Sequence, residues 1–354
     1  MNASPDRDDA ASEALLAVLA ESSLAGSLRR KLLWLNASDC FALHESRQPH
    51  WVLQQDFRPV VDRLRHQGAT VRELANDETF DLVCITPPRQ RERMRALFAI
   101  ALEHLAPGGA VFGAVANNLG ARSAAADFSA LYGEVEIESR RKCRVFHATP
   151  GVRVDRALAA AWRALDDMQP ILDGAWISRP GLFAWDRIDA ASALLAEHLP
   201  EDLAGDVADL GAGFGYLSVE TLRRCPRVEA IDLHEADARA LQPARINLER
   251  AIAARATPAR FEICWTDVTA GLEHRYDAIV MNPPFHTDRR DRPELGRAFI
   301  ERAADALRPR GRLLLVANRH LPYEATLDAR FATRLTLADR DGYKVIAAAG
   351  PRSA

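Results

Sequence analysis

Two short stretches of this chain hold residue types that could do chemistry together. The first is Val207 to Gly215, an apolar run ending in glycines 211, 213 and 215. Glycines there permit a tight turn and let a ligand approach the backbone closely. A helix starting directly after the turn would add unpaired N–H groups and the positive end of its dipole. The second stretch is Asn282-Pro283-Pro284-Phe285, directly after the apolar run 277–281. Asn282 supplies a side-chain carbonyl, and the two prolines stiffen the loop and leave carbonyls without a neighbouring N–H. An exocyclic NH2 group could donate one hydrogen to the Asn282 amide oxygen and one to the Pro283 carbonyl. Phe285 could stack on the base that carries the amine.

Acids flank the glycines. Asp209, just before the turn, would repel a pyrophosphate but suit an ammonium group. Asp232 closes the next apolar run, 23 residues on, near the spacing at which an acid takes ribose hydroxyls. Asp267, after the run 261–265, is suited to accept from an adenine amino group. Ordinary strand-end or surface acids would leave the same trace. A ligand with adenosine at one end and a charged amino acid at the other fits the set, and S-adenosylmethionine is such a ligand. NAD is the competing reading. The spacing GxGxG rather than GxGxxG, and the Asn-Pro-Pro-Phe run, count against it.

The elements that must position these residues follow from the apolar pattern. Short apolar runs at 207–210, 228–232, 261–265, 277–281 and 312–317 alternate with helix-like stretches such as 237–254. That alternation predicts an α/β fold with a doubly wound, mostly parallel sheet, and a late strand near 343–349 that could be antiparallel. The same pattern occurs earlier in the chain. The segment 80–90 resembles 276–286, and each contains a Pro-Pro pair. The strands after them each end in Val-Ala-Asn, at 115–117 and 316–318, and 143–149 matches 343–349. The offset from Thr86 to Asn282 is 196 residues, too long for a solenoid repeat and right for two copies of one domain. The boundary is expected near Asp173, giving domains 1–173 and 174–354.

The second copy resembles the class I S-adenosylmethionine-dependent methyltransferases that modify exocyclic amines. More closely, it is similar to the RsmC-type 16S ribosomal RNA guanine-N2 methyltransferases. Besides the glycine turn and Asn282-Pro-Pro-Phe-His286, the resemblance rests on 181–189, GLFAWDRID, and on 316–323. It implies two tandem Rossmann-like domains, with the 181–189 segment lying over the cofactor through Phe183 and Trp185. It also implies transfer of a methyl group to guanine N2 in 16S ribosomal RNA. The same chemistry on 23S RNA or another exocyclic amine stays open, as does a non-catalytic RNA-binding assembly factor. No general base stands out. His286 reads as structural, and the proton would leave to solvent.

The first copy lacks the site. Thr86 and Arg89 stand where the second copy has Asn282 and Phe285, and the turn region 32–43 has no glycine. It is therefore expected not to bind the cofactor and to serve substrate recognition or folding support. Arg89, Arg91 and Arg93 form one local basic run and Arg140, Arg141 and Lys142 another. RNA contact and a merely solvated face are both consistent with such runs.

Composition bounds the rest. The chain has 354 residues, a length suited to two domains, with 48% hydrophobic and 27% charged residues. No window approaches the roughly 18 apolar residues of a membrane helix. The acidic start shows no signal peptide. Five cysteines without CxxC spacing point to reduced thiols, a cytoplasmic setting and no metal site. The net charge of −3 does not by itself suggest RNA, although only three of the 46 basic residues are lysines. A cytoplasmic monomer acting on ribosomal RNA or the small subunit is the expectation.

Overall fold

The structure is a computed structural model that describes residues 7–21, 30–151, 153–284, 286–287, 290–291 and 293–353. It divides into two compact units, one reaching Asp167 and one starting at Met168. The first contains strands β1 (Leu32–Leu35), β2 (Val52–Gln54), β3 (Thr70–Val71), β4 (Phe80–Ile85), β5 (Leu105–Ala116), β6 (Glu136–Arg140) and β7 (Cys143–Ala148). Its helices are α1 (Arg7–Glu21), α2 (Phe41–Ser46), α3 (Arg58–His66), α4 (Arg91–Glu103), α5 (Ala121–Tyr132) and α6 (Arg156–Arg163).

The second unit opens with a hairpin, β8 (Gln169–Ile171) and β9 (Trp176–Ser178). There follow β10 (Ala204–Leu210), β11 (Arg227–Glu235), β12 (Arg260–Trp265), β13 (Tyr276–Met281), a small hairpin β14 (His286–Thr287) with β15 (Arg290–Asp291), then β16 (Leu307–Asn318), β17 (Phe331–Arg340) and β18 (Tyr343–Pro351). Its helices are α7 (Ala190–Glu197), α8 (Tyr216–Arg224), α9 (Ala238–Ala253), α10 (Pro293–Ala306) and α11 (Glu324–Arg330).

The two large sheets run β3-β2-β1-β4-β5-β7-β6 and β12-β11-β10-β13-β16-β18-β17. Position for position this is one order used twice. The first five strands of each pair in parallel, and the last two add antiparallel, so the late strand β18 is antiparallel to β16. In the first sheet β7 is likewise antiparallel to β5.

The parallel strands are apolar on both sides because helices cover both faces. Val207 and Val280 pack with Leu194 of α7, Leu217 of α8 and Leu248 of α9 on one face. Ala208, Leu210, Ile279 and Met281 pack with Phe299 and Ile300 of α10 on the other. This alternation along each strand decides which way every functional side chain points. The unit boundary falls a few residues ahead of Asp173 because the β8–β9 hairpin joins the second unit. Ile177 is held to Asn247 of α9 by hydrogen bonds of 2.8 Å in both directions. Among the described residues no helix is long and apolar enough to cross a membrane.

Candidate active site

β10 and β13 are adjacent and parallel, with Leu210 in register with Met281. The glycine turn and the Asn-Pro-Pro loop therefore leave the sheet side by side at its C-terminal edge. Strand order reverses there, β11 lying to one side of β10 and β13 to the other, which is where open α/β sheets bind ligands. A Cβ built on Gly211 would lie 3.9 Å from Cδ of Pro284. Phe285 lies outside the described residues.

The turn needs its glycines. Gly211, Gly213 and Gly215 have φ of +76°, +54° and +88°, which side chains disfavour. Gly211 and Ala212 donate N–H bonds to the His234 carbonyl near the end of β11, at 2.8 and 3.2 Å. At Gly215 a Cβ would also press Leu248 at 3.1 Å, whereas at Gly213 it would meet nothing within 4 Å, so the turn opens onto free space there. Asn247 of α9 fixes the turn from below by donating to the Phe214 carbonyl at 2.9 Å. Phe214 also packs edge-on against Trp176 of β9, with centroids 5.9 Å apart.

The acids are sorted by the face they occupy. Asp209 points to the α8 side, fully buried, and accepts from the Ser218 hydroxyl at 2.6 Å. Its other oxygen, Oδ1, is buried without a hydrogen-bond partner among the described residues. Burial pushes its pKa up to about 7. It thus props the turn from beneath, and the expected direct contact with an ammonium group gives way to this buried role.

Asp232 is not at the strand end. β11 runs on to Glu235, and Asp232 points to the opposite face, where it accepts from the Tyr276 hydroxyl at 3.0 Å. His234 touches the same hydroxyl through Nε2 at 3.0 Å, and burial holds its pKa down at about 4, so the ring is neutral. Glu235 is the acid at the turn. Its carboxylate accepts N–H bonds from Gly213 at 2.7 Å, Ala236 at 2.7 Å and Asp237 at 2.8 Å. Burial raises its pKa, and those bonds oppose the rise. Asp267 caps a short turn after β12, its Oδ1 accepting from Thr269 N–H and hydroxyl at 2.9 and 2.6 Å. Sequence reasoning missed Glu235, because nothing local marks where β11 ends.

Asn282 is the best-positioned residue of the set. Val280 faces α7, so Asn282, two residues on, continues towards the start of that helix. Its Nδ2 donates to Asp189 Oδ2 and to Ser192 Oγ, both at 2.9 Å. The carboxylate only accepts, so this end of the amide is the NH2 group. The amide oxygen has no protein partner among the described residues. Asp189, the last residue of the 181–189 segment, also caps α7 by accepting from Ser192 N–H at 2.9 Å. The segment's other end is tied by Arg239 of α9, which donates to the Pro180 carbonyl. Between these ties Phe183 is 66% exposed and Trp185 half-buried.

The corresponding place in the first unit is filled. Trp34 is fully buried and donates to the Thr86 hydroxyl at 3.1 Å, which donates to the Asn36 carbonyl at 2.8 Å. Asn36 returns a bond to the Thr86 carbonyl at 2.7 Å. The basic runs are largely paired within the protein. Arg93 is buried between Asp56 and Asp166, which removes it from any RNA-contacting surface. Arg91 grips Asp127 at 2.8 Å through two bonds, Arg140 pairs with Glu21 and Arg141 with Glu13. Arg89 and Lys142 are exposed. Lys142, Arg141, Asn117 and Asn118 line an open cavity of about 430 Å³.

The methyltransferase small domain family matches residues 174–347. A ribosomal RNA small subunit methyltransferase C from Pseudomonas paraeruginosa is 33% identical over 273 residues, covering 75% of this chain and 77% of that protein. The chain belongs to the ribosomal RNA small subunit methyltransferase C family. Another member, from Stutzerimonas stutzeri, is 31% identical over the same length, 75% of this chain and 78% of its own. A solved member has a similar fold across both units. It is the T. thermophilus 16S rRNA N2 G1207 methyltransferase (RsmC) in complex with AdoMet and guanosine. The TM-score is 0.70 at 26% identity, covering 90% of this chain and 88% of that one.

Proposed function

We propose that the second unit transfers a methyl group from S-adenosylmethionine to the exocyclic N2 amine of a guanine in 16S ribosomal RNA. The first unit serves substrate recognition or folding support. The observation that carries this is Asn282, whose NH2 end is spent on Asp189 and Ser192. Its acceptor end is left for an amine, beside a glycine turn built for close backbone approach. Family membership supplies the guanine and the small subunit.

The residues at the turn fit the cofactor. There is open space at Gly213 and a strand-end carboxylate at Glu235 with acceptor capacity beyond its three N–H bonds. The backbone at Gly211, Gly213 and Gly215 would pass close to it, Glu235 would take the ribose hydroxyls, and Asp267 Oδ2 the adenine amino group. Phe183 and Trp185 would cover it. When bound, S-adenosylmethionine supplies an electrophilic methyl group. Asn282 and the Pro283 carbonyl hold the amine hydrogens, and so turn the nitrogen lone pair out of conjugation with the base. The guanine must leave its stack to reach this edge. Lys142 and Arg141 are the RNA contacts this reading retains in the first unit. The protein works as a monomer in the cytoplasm.

The test is methyl transfer from labelled cofactor to 30S subunits, 50S subunits and naked RNA, followed by nucleoside analysis. N2-methylguanosine in 16S RNA is expected. Label in adenosine, in 23S RNA only or on protein overturns the substrate assignment.

A further inference from the structure

We propose that Asp189, seconded by Ser192, is a positioning residue that locks Asn282 as an acceptor and thereby makes the site select a target that donates hydrogen. The inference rests on the amine-methylating function just given and names the residues that enforce it. The two ends of an asparagine amide are almost the same size and exchange by a half-turn of the terminal torsion. An unpinned Asn282 would present either end to the substrate. With its NH2 outward it would offer a donor to an amine that is itself a donor, and the nitrogen would not be held.

Three features set the orientation. Asp189 Oδ2 and Ser192 Oγ each lie 2.9 Å from Asn282 Nδ2. The reverse orientation would bring the amide oxygen against a carboxylate oxygen with no hydrogen between them. The same Oδ2 also accepts from Ser192 N–H at 2.9 Å, so Asp189 is held as the cap of α7 and cannot swing aside. Asp189 ends the 181–189 segment, whose other end is tied through Pro180 to Arg239. Seating that segment and orienting Asn282 are therefore one event.

The pin can be removed at a residue that still suits the cap. One oxygen takes both Ser192 N–H and Asn282 Nδ2, so the amide oxygen introduced by D189N would sit there and keep both bonds. D189G removes that acceptor, and glycine is itself a favoured N-cap residue. Asn282 can then turn either end to the substrate. In the double variant D189G/N282D the carboxylate introduced at position 282 has acceptors at both ends, needs no pin and restores an acceptor towards the substrate.

Steady-state transfer to 30S subunits, cofactor affinity by calorimetry and thermal melting should be measured for the wild type, D189G, S192A and the double variant. Loss of the charged acceptor that orients Asn282 should cut kcat of D189G by about tenfold or more, with cofactor Kd and the KM for 30S within about twofold. S192A, which keeps the cap, should lose about threefold to tenfold in kcat. The double variant should recover at least about threefold over D189G. A D189G kcat within about twofold of wild type overturns the proposal, as does a double variant no faster than D189G. If D189G melts early, S192A decides, and unchanged kcat there overturns it. Nucleoside analysis of the wild-type product keeps the two questions apart. A product other than N2-methylguanosine counts against the proposed function, and the variant series is then read on the amine that is methylated.

Discussion

A carboxyl group behaves at this site according to the face of the sheet it occupies. Asp209, Asp232 and Glu235 lie within two neighbouring strands, and each has a different environment. Asp209 is the one with a sharp consequence for pH. Burial is the main cause of its rise to about 7, with the Glu235 charge adding to it and the Ser218 hydroxyl opposing it. In the unfolded chain it titrates at the ordinary value of about 3.9. Between those values the folded state keeps a proton that the unfolded chain has released. Its contribution to stability is thus full below about pH 4, falls as pH rises towards about 7, and is flat beyond. Asp209→Asn retains an acceptor for Ser218 and cannot titrate. Urea unfolding should show the variant gaining on the wild type by about 1.4 kcal/mol per pH unit across that window. Parallel pH dependence of the two proteins would place the proton on another group. Glu235→Gln should weaken cofactor binding about tenfold or more by calorimetry, whereas Asp232→Asn should change it less than about twofold. The reverse ranking would return the ribose role to Asp232. The sequence pointed to Asp232 because an acid ending a short apolar run looks like a strand end. The strand runs three residues further, and only hydrogen bonding to neighbouring strands shows that.

At the scale of elements, α9 is the brace of the site. Asn247 holds both the N–H and the carbonyl of Ile177 and the carbonyl of Phe214, while Arg239 holds Pro180. Asn247→Ala would leave three backbone groups without these partners. At roughly 1 kcal/mol or more for each, stability should drop by about 3 kcal/mol and cofactor affinity should fall with it. A melting curve like that of the wild type would show that water replaces the side chain. The α9 stretch itself was legible at 237–254, as was the glycine turn, because helix period and glycine spacing are local signals. Asp189, Ser192 and Asn247 were not legible as site residues. Their roles arise from contacts across 93, 90 and 33 residues of sequence, to Asn282 and to the turn.

In the whole molecule the duplication is complete in topology and one-sided in chemistry. Titration with S-adenosylmethionine should give one site per chain. Gly215→Leu, which combines a φ of +88° with a Cβ pressed on Leu248, should reduce it to none. A second site surviving that change would mean that the Trp34–Thr86–Asn36 cluster opens to admit ligand. The repeat itself was legible from its Pro-Pro landmarks. The fate of the arginines was not, because a run of like charge in sequence gives no hint that Arg93 is buried between two aspartates. The paired ladder Leu210 to Met281 has one further consequence. Donor and acceptor sites emerge from strands whose spacing, about 4.8 Å, is set by backbone hydrogen bonds and not by side chains. The ladder is a fixed gauge. Substitutions in the loops above it can change which base is admitted while the reach of the reaction stays constant. The first unit keeps the same gauge, Leu35 beside Ile85, as an inherited measure with nothing left to span.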